Sequence, residues 1–163
     1  MFLPLLRKAF LKLDVSGQGK REVLKSLLDG FPENHFSEEK KEWLLELLVR
    51  REEAGTTAVG DELALPHAFV EGLETPQAVL GISRQGEEMG ALDGQRVYVF
   101  LLVLLPDSEA GRLSKRAIFR KALIAFSDRF IRQRLRQALS PQEVREVIEQ
   151  EEIFSRTASI TVS

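Results

Sequence analysis

The longest apolar run of the sequence is Val97-Tyr98-Val99-Phe100-Leu101-Leu102-Val103-Leu104-Leu105, which ends at Pro106. It is much shorter than the roughly 20 apolar residues that a membrane-spanning helix needs. Its first residues are β-branched and aromatic, as is typical of strands, and polar residues do not alternate with the apolar ones. The run therefore predicts a central β-strand that is buried on both faces.

Shorter patterns on either side predict further strands and helices around this run. Phe10-Leu11-Lys12-Leu13 and Ala78-Val79-Leu80-Gly81-Ile82-Ser83 are typical of strands, and Thr56 to Ala68 of a loop with short strands. Helices are predicted over Lys20 to Leu28, from a Ser37 cap onward with Trp43, Leu44, Leu47 and Leu48 as the buried stripe, over Leu113 to about Phe126, over about Arg129 to Leu139, and from a Ser140 cap to about Glu149. The order predicts an α/β (α+β) fold: a single domain with a mixed β-sheet flanked by helices on both faces.

Composition excludes several classes of site. The chain has 163 residues, which fits one domain with a sizeable core. It contains no cysteine, so disulfides, thiolate nucleophiles and cysteine-based metal sites are excluded. The net charge is −2, and no segment resembles a signal peptide or a membrane span. We expect a cytoplasmic protein with neither nucleic-acid binding nor membrane insertion.

The sequence has two histidines, and they lie in different contexts. His35 is in a polar loop between two helices, where an exposed, incidental role is expected. His67 follows Pro66, which restricts the backbone, and Leu65, which is suited to anchor the segment in the core. No second histidine or cysteine lies nearby in sequence to complete a metal site. From these residues alone, His67 can be either structural or reactive.

A longer pattern favours the reactive role. Residues Arg51-Glu52-Glu53-Ala54-Gly55-Thr56-Thr57-Ala58-Val59-Gly60-Asp61-Glu62-Leu63-Ala64-Leu65-Pro66-His67 follow Arg-Glu, three residues, Ser/Thr-Thr, two residues, Gly, and an apolar stretch that ends in Pro-His. This pattern resembles the active-site signature of the IIA component of bacterial phosphotransferase systems, in the fructose/mannitol/nitrogen-regulatory class. The resemblance continues over roughly residues 5–150, including Leu92-Asp93-Gly94-Gln95-Arg96-Val97 before the apolar run.

The resemblance implies an IIA-like phosphocarrier that carries a phosphoryl group on His67. The group would come from an HPr-type phosphocarrier protein and pass to a IIB domain, or act as a regulatory signal toward a target protein. We expect the nitrogen-regulatory type, because no IIB or IIC domain lies on the chain. Arg51 and the Thr57 hydroxyl are candidate catalytic donors to the phosphoryl oxygens, and no metal or other cofactor is required. The alternative is a non-catalytic regulatory module of the same fold.

One position departs from the family pattern. The family often carries a second histidine in a His-Leu-x-x-Leu helix start, and Arg112 stands there in Arg112-Leu113-Ser114-Lys115-Arg116. An arginine can supply a permanent positive charge to a phosphoryl group, so Arg112 is a candidate phosphate-stabilising residue. It can equally mark a member that has lost transfer activity, or point to solvent.

Arg112 also begins a strongly basic segment. Between residues 112 and 136 there are nine basic residues and one acid, Asp128, for a local charge of +8. Such a segment is either a solvated set of helix faces or a docking surface for an acidic partner. No aromatic platform accompanies it, which argues against nucleic acid.

The remaining expectation concerns domain boundaries. We expect the IIA-like domain to span residues 1–152. Residues 153–163 would form a tail whose alternating Thr157-Ala158-Ser159-Ile160-Thr161-Val162 is either an added edge strand or disordered. The oligomeric state is left open.

Overall fold

A computed structural model describes residues 2–150, which form one mixed sheet between two layers of helices. The elements, in chain order, are α1 (Phe2–Lys8), β1 (Phe10–Lys12), α2 (Lys20–Leu28), α3 (Glu38–Glu53), β2 (Ala58–Gly60), β3 (Leu63–Ala64), β4 (His67–Val70), β5 (Gln77–Glu87), β6 (Val97–Pro106), α4 (Glu109–Phe126), α5 (Arg129–Gln137) and α6 (Pro141–Glu149).

Strand β6 lies at the centre of the sheet, as the apolar run predicts. It pairs antiparallel with β5 on one edge. On its other edge it pairs parallel with β3 and then, further along, with β4. Strand β1 extends the sheet beyond β5, and β2 extends it beyond β3. Both edges of β6 are therefore satisfied by neighbouring strands, which a strand buried on both faces requires.

Two hydrophobic cores cover the two faces of the sheet. Leu101 and Val103 point into a core shared with α1, α4, α5 and α6. Leu102 and Leu104, the alternate residues, point into a second core shared with α2 and α3. The side-chain period of two along a strand produces this division, and it explains why no polar residue interrupts the run. The predicted mixed sheet with helices on both faces is confirmed.

Helix α3 differs from its predicted buried stripe. Its Ser37 cap is confirmed, since the hydroxyl accepts from the Lys40 amide. Trp43, however, is 43% exposed, and the Lys40 ammonium lies 4.1 Å from its ring centroid. The stripe runs instead through Leu44, Leu45 and Leu48, with Leu47 only half-buried. The prediction for Trp43 was wrong because the buried stripe is centred on Leu44, Leu45 and Leu48, which leaves the indole at its margin, in contact with solvent.

Helix α4 begins at Glu109, earlier than predicted. The Ser108 hydroxyl accepts from the Gly111 amide and caps this start. Gly111 permits a close approach to the end of β6, because a Cβ there would lie 1.8 Å from the Pro106 carbonyl oxygen. Arg112 is therefore inside the first turn of α4 and not before the helix.

Two further differences concern the chain ends. Residues 2–8, which the sequence pattern leaves unassigned, form helix α1, with Phe2, Leu5 and Leu6 buried. The predicted boundary after residue 152 and the tail 153–163 lie outside the described residues. Within residues 2–150, no helix has the length and apolarity to cross a membrane.

The buried strand provides the first prediction. Leu101→Ala and Leu102→Ala should each lower the free energy of unfolding by about 2–5 kcal/mol, because each leaves a cavity in one of the two cores. Leu92→Ala is the matched control: this leucine is 97% exposed, so its loss should change stability by less than about 0.5 kcal/mol. Urea unfolding of the three variants measures the difference. A small effect of either core substitution would contradict the two-faced burial of β6.

Candidate active site

The segment from residue 51 to residue 67 carries the chain from the last turn of α3 to the edge of β6. Strands β2 and β3 form a short hairpin, and β3 pairs with β6 before the chain reaches Leu65. The buried Leu65 donates its amide to the Thr57 carbonyl at 3.0 Å. The Pro66 carbonyl accepts from the Val103 amide at 2.9 Å, and His67 then begins β4. His67 is thus held by backbone pairing to the central strand, and the buried Leu65 anchors the segment in the core, as predicted.

The two ring nitrogens of His67 have different partners. The side chain is buried, with 3% exposure. Its Nδ1 lies 2.9 Å from the Leu65 carbonyl oxygen. Because a carbonyl can only accept, Nδ1 must donate and carries the proton. Its Nε2 lies 3.3 Å from Nε of Arg51, which can only donate, so Nε2 keeps its lone pair.

Burial keeps the imidazole of His67 neutral. Burial, together with the smaller effects of the Lys115 and Arg51 charges, lowers the pKa of His67 to about 4. The Leu65 carbonyl and the Glu52 carboxylate act in the opposite direction and do not compensate. Near pH 7 the ring is therefore a neutral base with a free Nε2 lone pair, which is the form required of a nitrogen nucleophile.

Aromatic rings and cations surround the histidine. The Phe119 ring meets it edge-on with centroids 4.9 Å apart, and the Phe69 ring does so at 6.5 Å. The Lys115 ammonium lies 5.6 Å from the Phe119 centroid. Burial lowers the pKa of Lys115, and the positive charge of Arg51 lowers it further. Lys115 and Arg51 therefore place two cations close to a neutral nucleophile.

Arg51 and Thr57 occupy different positions relative to His67. Arg51 reaches the ring, and its Nη1 also donates to the Gly55 carbonyl at 2.9 Å, which fixes the guanidinium across the end of α3. The Thr57 hydroxyl donates instead to the Glu52 carboxylate at 2.6 Å, and the Thr57 amide donates to the same group at 3.0 Å. In this arrangement Thr57 holds Glu52, and it contributes to the site indirectly.

Arg112 lies beside Phe69, whose ring neighbours that of His67. Its guanidinium lies 5.6 Å from the Phe69 centroid and forms an ion pair with Asp107 at 3.5 Å. The side chain is 59% exposed. Among the residues of α4, Lys115 is the one whose charge acts on His67. Within residues 2–150, the contacts of the Arg112 guanidinium are therefore with Phe69 and Asp107 and not with the His67 ring.

Sequence reasoning missed two residues of the site. Lys115 lies three positions after Arg112, a helical spacing that puts both on one face once the helix start is known. Glu52 belongs to the quoted motif, yet its burial was not foreseen. It is 5% exposed and accepts from Thr57 and from the Lys20 ammonium at 3.3 Å. Because Lys20 comes from α2, this contact joins the motif to a distant part of the chain.

His35 is exposed, as predicted for an incidental loop histidine. It stacks on Phe31 with centroids 5.5 Å apart, and its Nε2 pairs with the Gln77 side-chain oxygen. It has no contact with the residues around His67 in the described structure. His35 is therefore a suitable comparison for any experiment on His67.

A comparison with protein families matches residues 4–151 to the phosphoenolpyruvate-dependent sugar phosphotransferase system, EIIA 2. Among individual proteins, a nitrogen regulatory protein of Pseudomonas aeruginosa is 27% identical over 137 residues, which cover 83% of this chain and 86% of that protein. The fructose-specific EIIABC component of Bacillus subtilis is 23% identical over 146 residues, 90% of this chain. The chain spans only 22% of the length of that relative.

Solved structures show the same fold. The nitrogen regulatory protein IIA-Ntr from Neisseria meningitidis superimposes with a TM-score of 0.72 at 24% identity, covering 85% of this chain and 92% of that one. Enzyme IIA mannitol in its complex with phosphorylated enzyme IIB mannitol, from Escherichia coli, gives a TM-score of 0.63 at 17% identity, covering 84% and 93%.

The depressed pKa of His67 predicts a pH dependence of stability. In the unfolded chain an ordinary histidine titrates near pH 6.5, whereas in the folded protein the pKa of His67 is about 4. Between these values the unfolded state binds more protons, so stability must fall as the pH is lowered from 6.5 to 4, by on the order of 3 kcal/mol. His67→Gln lacks this contribution.

The measurement is urea unfolding of the parent and His67→Gln at several pH values. The parent's free energy of unfolding, relative to that of the variant, should decrease across this window. The carboxylates are common to both proteins and cancel in the difference. Parallel profiles for the two proteins would show that His67 is not buried as a neutral base.

Proposed function

Because this chain belongs to the EIIA 2 family of the phosphoenolpyruvate-dependent sugar phosphotransferase system, we propose that it is a cytoplasmic phosphoryl carrier whose acceptor atom is Nε2 of His67. The observation that carries this proposal is the buried, neutral imidazole. Its Nδ1 donates to Leu65, and its Nε2 lone pair faces the Arg51 guanidinium.

The transfer requires one bond to form and one to break. The Nε2 lone pair attacks the phosphorus of a phosphohistidine on the donor protein, the Nε2–P bond forms, and the donor's N–P bond breaks. The donor imidazole takes up the released electron pair. His67 retains its Nδ1 proton, so its ring becomes positively charged, and the Leu65 carbonyl stabilises that charge by accepting from Nδ1. In the onward transfer, a nucleophile of the acceptor attacks the phosphorus, the Nε2–P bond breaks, and Nε2 takes back its electron pair.

Stabilisation of the phosphoryl oxygens is assigned to the surrounding cations. Arg51 now donates to Nε2, and its fork of N–H groups can shift to the oxygens once Nε2 is bonded to phosphorus. Lys115 adds a second charge from α4. Arg112 is a third candidate, from the preceding turn of the same helix. Such donors act on the charge of the transferring group, which is where most catalysis of phosphoryl transfer arises.

The proposed partners follow from the family and the relatives. The donor would be an HPr-type phosphocarrier, and the acceptor a IIB domain or a regulatory target protein. The nitrogen-regulatory type is favoured, because the match to the nitrogen regulatory protein of Pseudomonas aeruginosa extends over most of both chains. The basic face formed by Arg112, Lys115 and Arg116 is suited to an acidic docking partner.

The direct test is phosphorylation by a phosphorylated HPr-type protein, followed by intact mass. The parent should gain one phosphate that is acid-labile and alkali-stable, and phosphorus–nitrogen NMR coupling should place it on Nε2. His67→Gln should gain none, because the nucleophile is absent. His35→Gln should behave like the parent, since His35 does not contact the site.

Two outcomes would contradict this assignment. Labelling that survives in His67→Gln would place the phosphate elsewhere. Absence of any gain in the parent with several donors would support the alternative, a regulatory module of the same fold that binds a partner without carrying phosphate.

The cations of α4 can be separated by three matched substitutions. Lys115→Gln should slow phosphorylation by roughly a hundredfold, the lower end of the effect of removing one charge-stabilising donor. Arg112→Gln should have a smaller effect, because its charge is paired with Asp107 and largely solvated. Arg120→Gln, an exposed change on the same helix, should have none.

The readout is the rate of mass gain at a fixed donor concentration, with the lifetime of the phosphorylated protein as a second measurement. An effect of Arg112→Gln larger than that of Lys115→Gln would show that the arginine moves onto the phosphoryl group and takes the place of the second histidine. Equal rates for all three variants would remove both cations from the mechanism.

A further inference from the structure

A second cationic site lies at the other end of β6. A cavity of about 330 Å³ is lined by Glu62, Arg84, Arg129, Gln133, Arg136 and Gln137. The Glu62 carbonyl accepts from the amides of Tyr98 and Val99, whereas His67 pairs with Val103. Val103 lies four residue steps after Val99 along the strand, which corresponds to about 13 Å. The cavity therefore shares no residue with the proposed phosphoryl site.

The lining residues carry an excess of positive charge. Three arginines face one carboxylate, and the other two residues are glutamines, whose amides can donate or accept. The donors come from two elements, Arg84 from β5 and the remainder from α5, so they approach the cavity from different sides. A net charge of +2 in a concave site favours a ligand with two negative charges.

Two of the arginines are fixed in place before any ligand binds. The Arg136 guanidinium lies 3.5 Å from the Tyr98 ring centroid and donates to the Glu62 carboxylate at 2.7 Å. Arg84 donates to the Ala138 carbonyl at 2.9 Å. Such anchoring lowers the entropy that a ligand would otherwise have to remove from these long side chains.

A fourth arginine lies behind the cavity and is not fully satisfied. Arg132 is 7% exposed, and its Nη1 donates to the carbonyls of Phe126 and Ser127. Its Nε has no hydrogen-bond partner within the described residues. That nitrogen lies 3.9 Å from the Glu62 carboxylate, too far for a hydrogen bond. A buried guanidinium with an unpartnered N–H adds further positive potential to the cavity wall.

Glu62 is held in the site by an unusual turn. Asp61 and Glu62 connect β2 to β3 with φ values of 54° and 66°, in the left-handed region that non-glycine residues seldom adopt. A two-residue hairpin of this kind usually carries Asn-Gly or Asp-Gly. Here the second position is a glutamate whose carboxylate reaches Arg136. The carboxylate thus occupies part of the positive field that an anionic ligand would use.

From this arrangement we propose that the cavity binds a small phosphomonoester, with Arg84, Arg129 and Arg136 as the phosphate-binding residues. A phosphomonoester carries close to two negative charges at pH 7, which matches the lining charge. Its tetrahedral oxygens can accept from donors on several sides, and guanidinium forks suit them. Gln133 and Gln137 would contact the rest of the molecule, and the cavity volume is at the lower end of known small-molecule sites.

The test is a titration of the full chain with methyl phosphate, followed by backbone amide NMR. Saturable shifts should appear at residues 129–137 and around Glu62. Arg129→Gln should raise the dissociation constant about tenfold, as expected for the loss of one charge-assisted contact. Arg134→Gln, the same substitution on the same helix but outside the cavity, should leave it unchanged. Glu62→Gln should tighten binding, because it removes the only acid among the lining residues.

The controls separate this site from the His67 site. The same titration of His67→Gln should give the same constant, so the result does not depend on phosphoryl transfer. Shifts confined to Arg51, His67 and Lys115 would overturn the proposal. The proposal would also be overturned if neither Arg129→Gln nor Gln133→Glu changed the dissociation constant for methyl phosphate. Succinate, a dianion without phosphate, should bind more weakly; equal affinity would overturn the assignment to phosphomonoesters.

Discussion

Strand β6 is buried on both faces, so every backbone amide and carbonyl along it needs a partner on a neighbouring strand. On one edge β5 supplies these partners, with one register irregularity between Ile82 and Glu87. On the other edge β3 and β4 share the task, and the Pro66 carbonyl accepts the Val103 amide between them. Proline has no backbone N–H, so the break between β3 and β4 at this residue leaves no amide donor without a partner. The position of His67 is a consequence of completing the edge of β6.

The chemistry of His67 depends on that burial. An exposed histidine would be partly protonated near neutral pH, and a protonated ring has no free lone pair. Burial removes the proton, and the Leu65 carbonyl determines which nitrogen keeps the remaining one. The positive charges of Arg51 and Lys115 lie close to the ring. They disfavour a protonated ring by repulsion, and they would attract the negative charge of a bound phosphoryl group.

The molecule carries little net charge, yet its positive charge is concentrated. Helices α4 and α5 lie on the same side of the sheet, and each contributes cations to a different group near β6: Lys115 joins Arg51 from α3, and Arg129 and Arg136 join Arg84 from β5. One group surrounds His67, and the other surrounds Glu62. Two carboxylates connect these regions to the rest of the fold: the buried Glu52, which contacts Thr57 and Lys20, and the half-buried Glu62, which contacts Arg136. Net charge alone does not reveal such separation.

The central strand, most helices and the Leu65-Pro66-His67 segment could be predicted from the sequence, because apolar periodicity and proline act locally. The resemblance of residues 51–67 to a known signature also pointed to Arg51, whose guanidinium lies against the His67 ring. What could not be predicted depends on contacts between distant residues. The start of α4 depends on how closely Gly111 approaches Pro106, and that start determines which cation reaches His67. The hydroxyl of Thr57 bonds Glu52 because α3 returns to the hairpin. The cavity near Glu62 combines β5, α5 and the turn after β2, which are adjacent only in the folded sheet.

Local pattern determined where the strands and the histidine would be, whereas the protonation of the histidine and the grouping of the charges were decided by burial and packing, which depend on the whole chain.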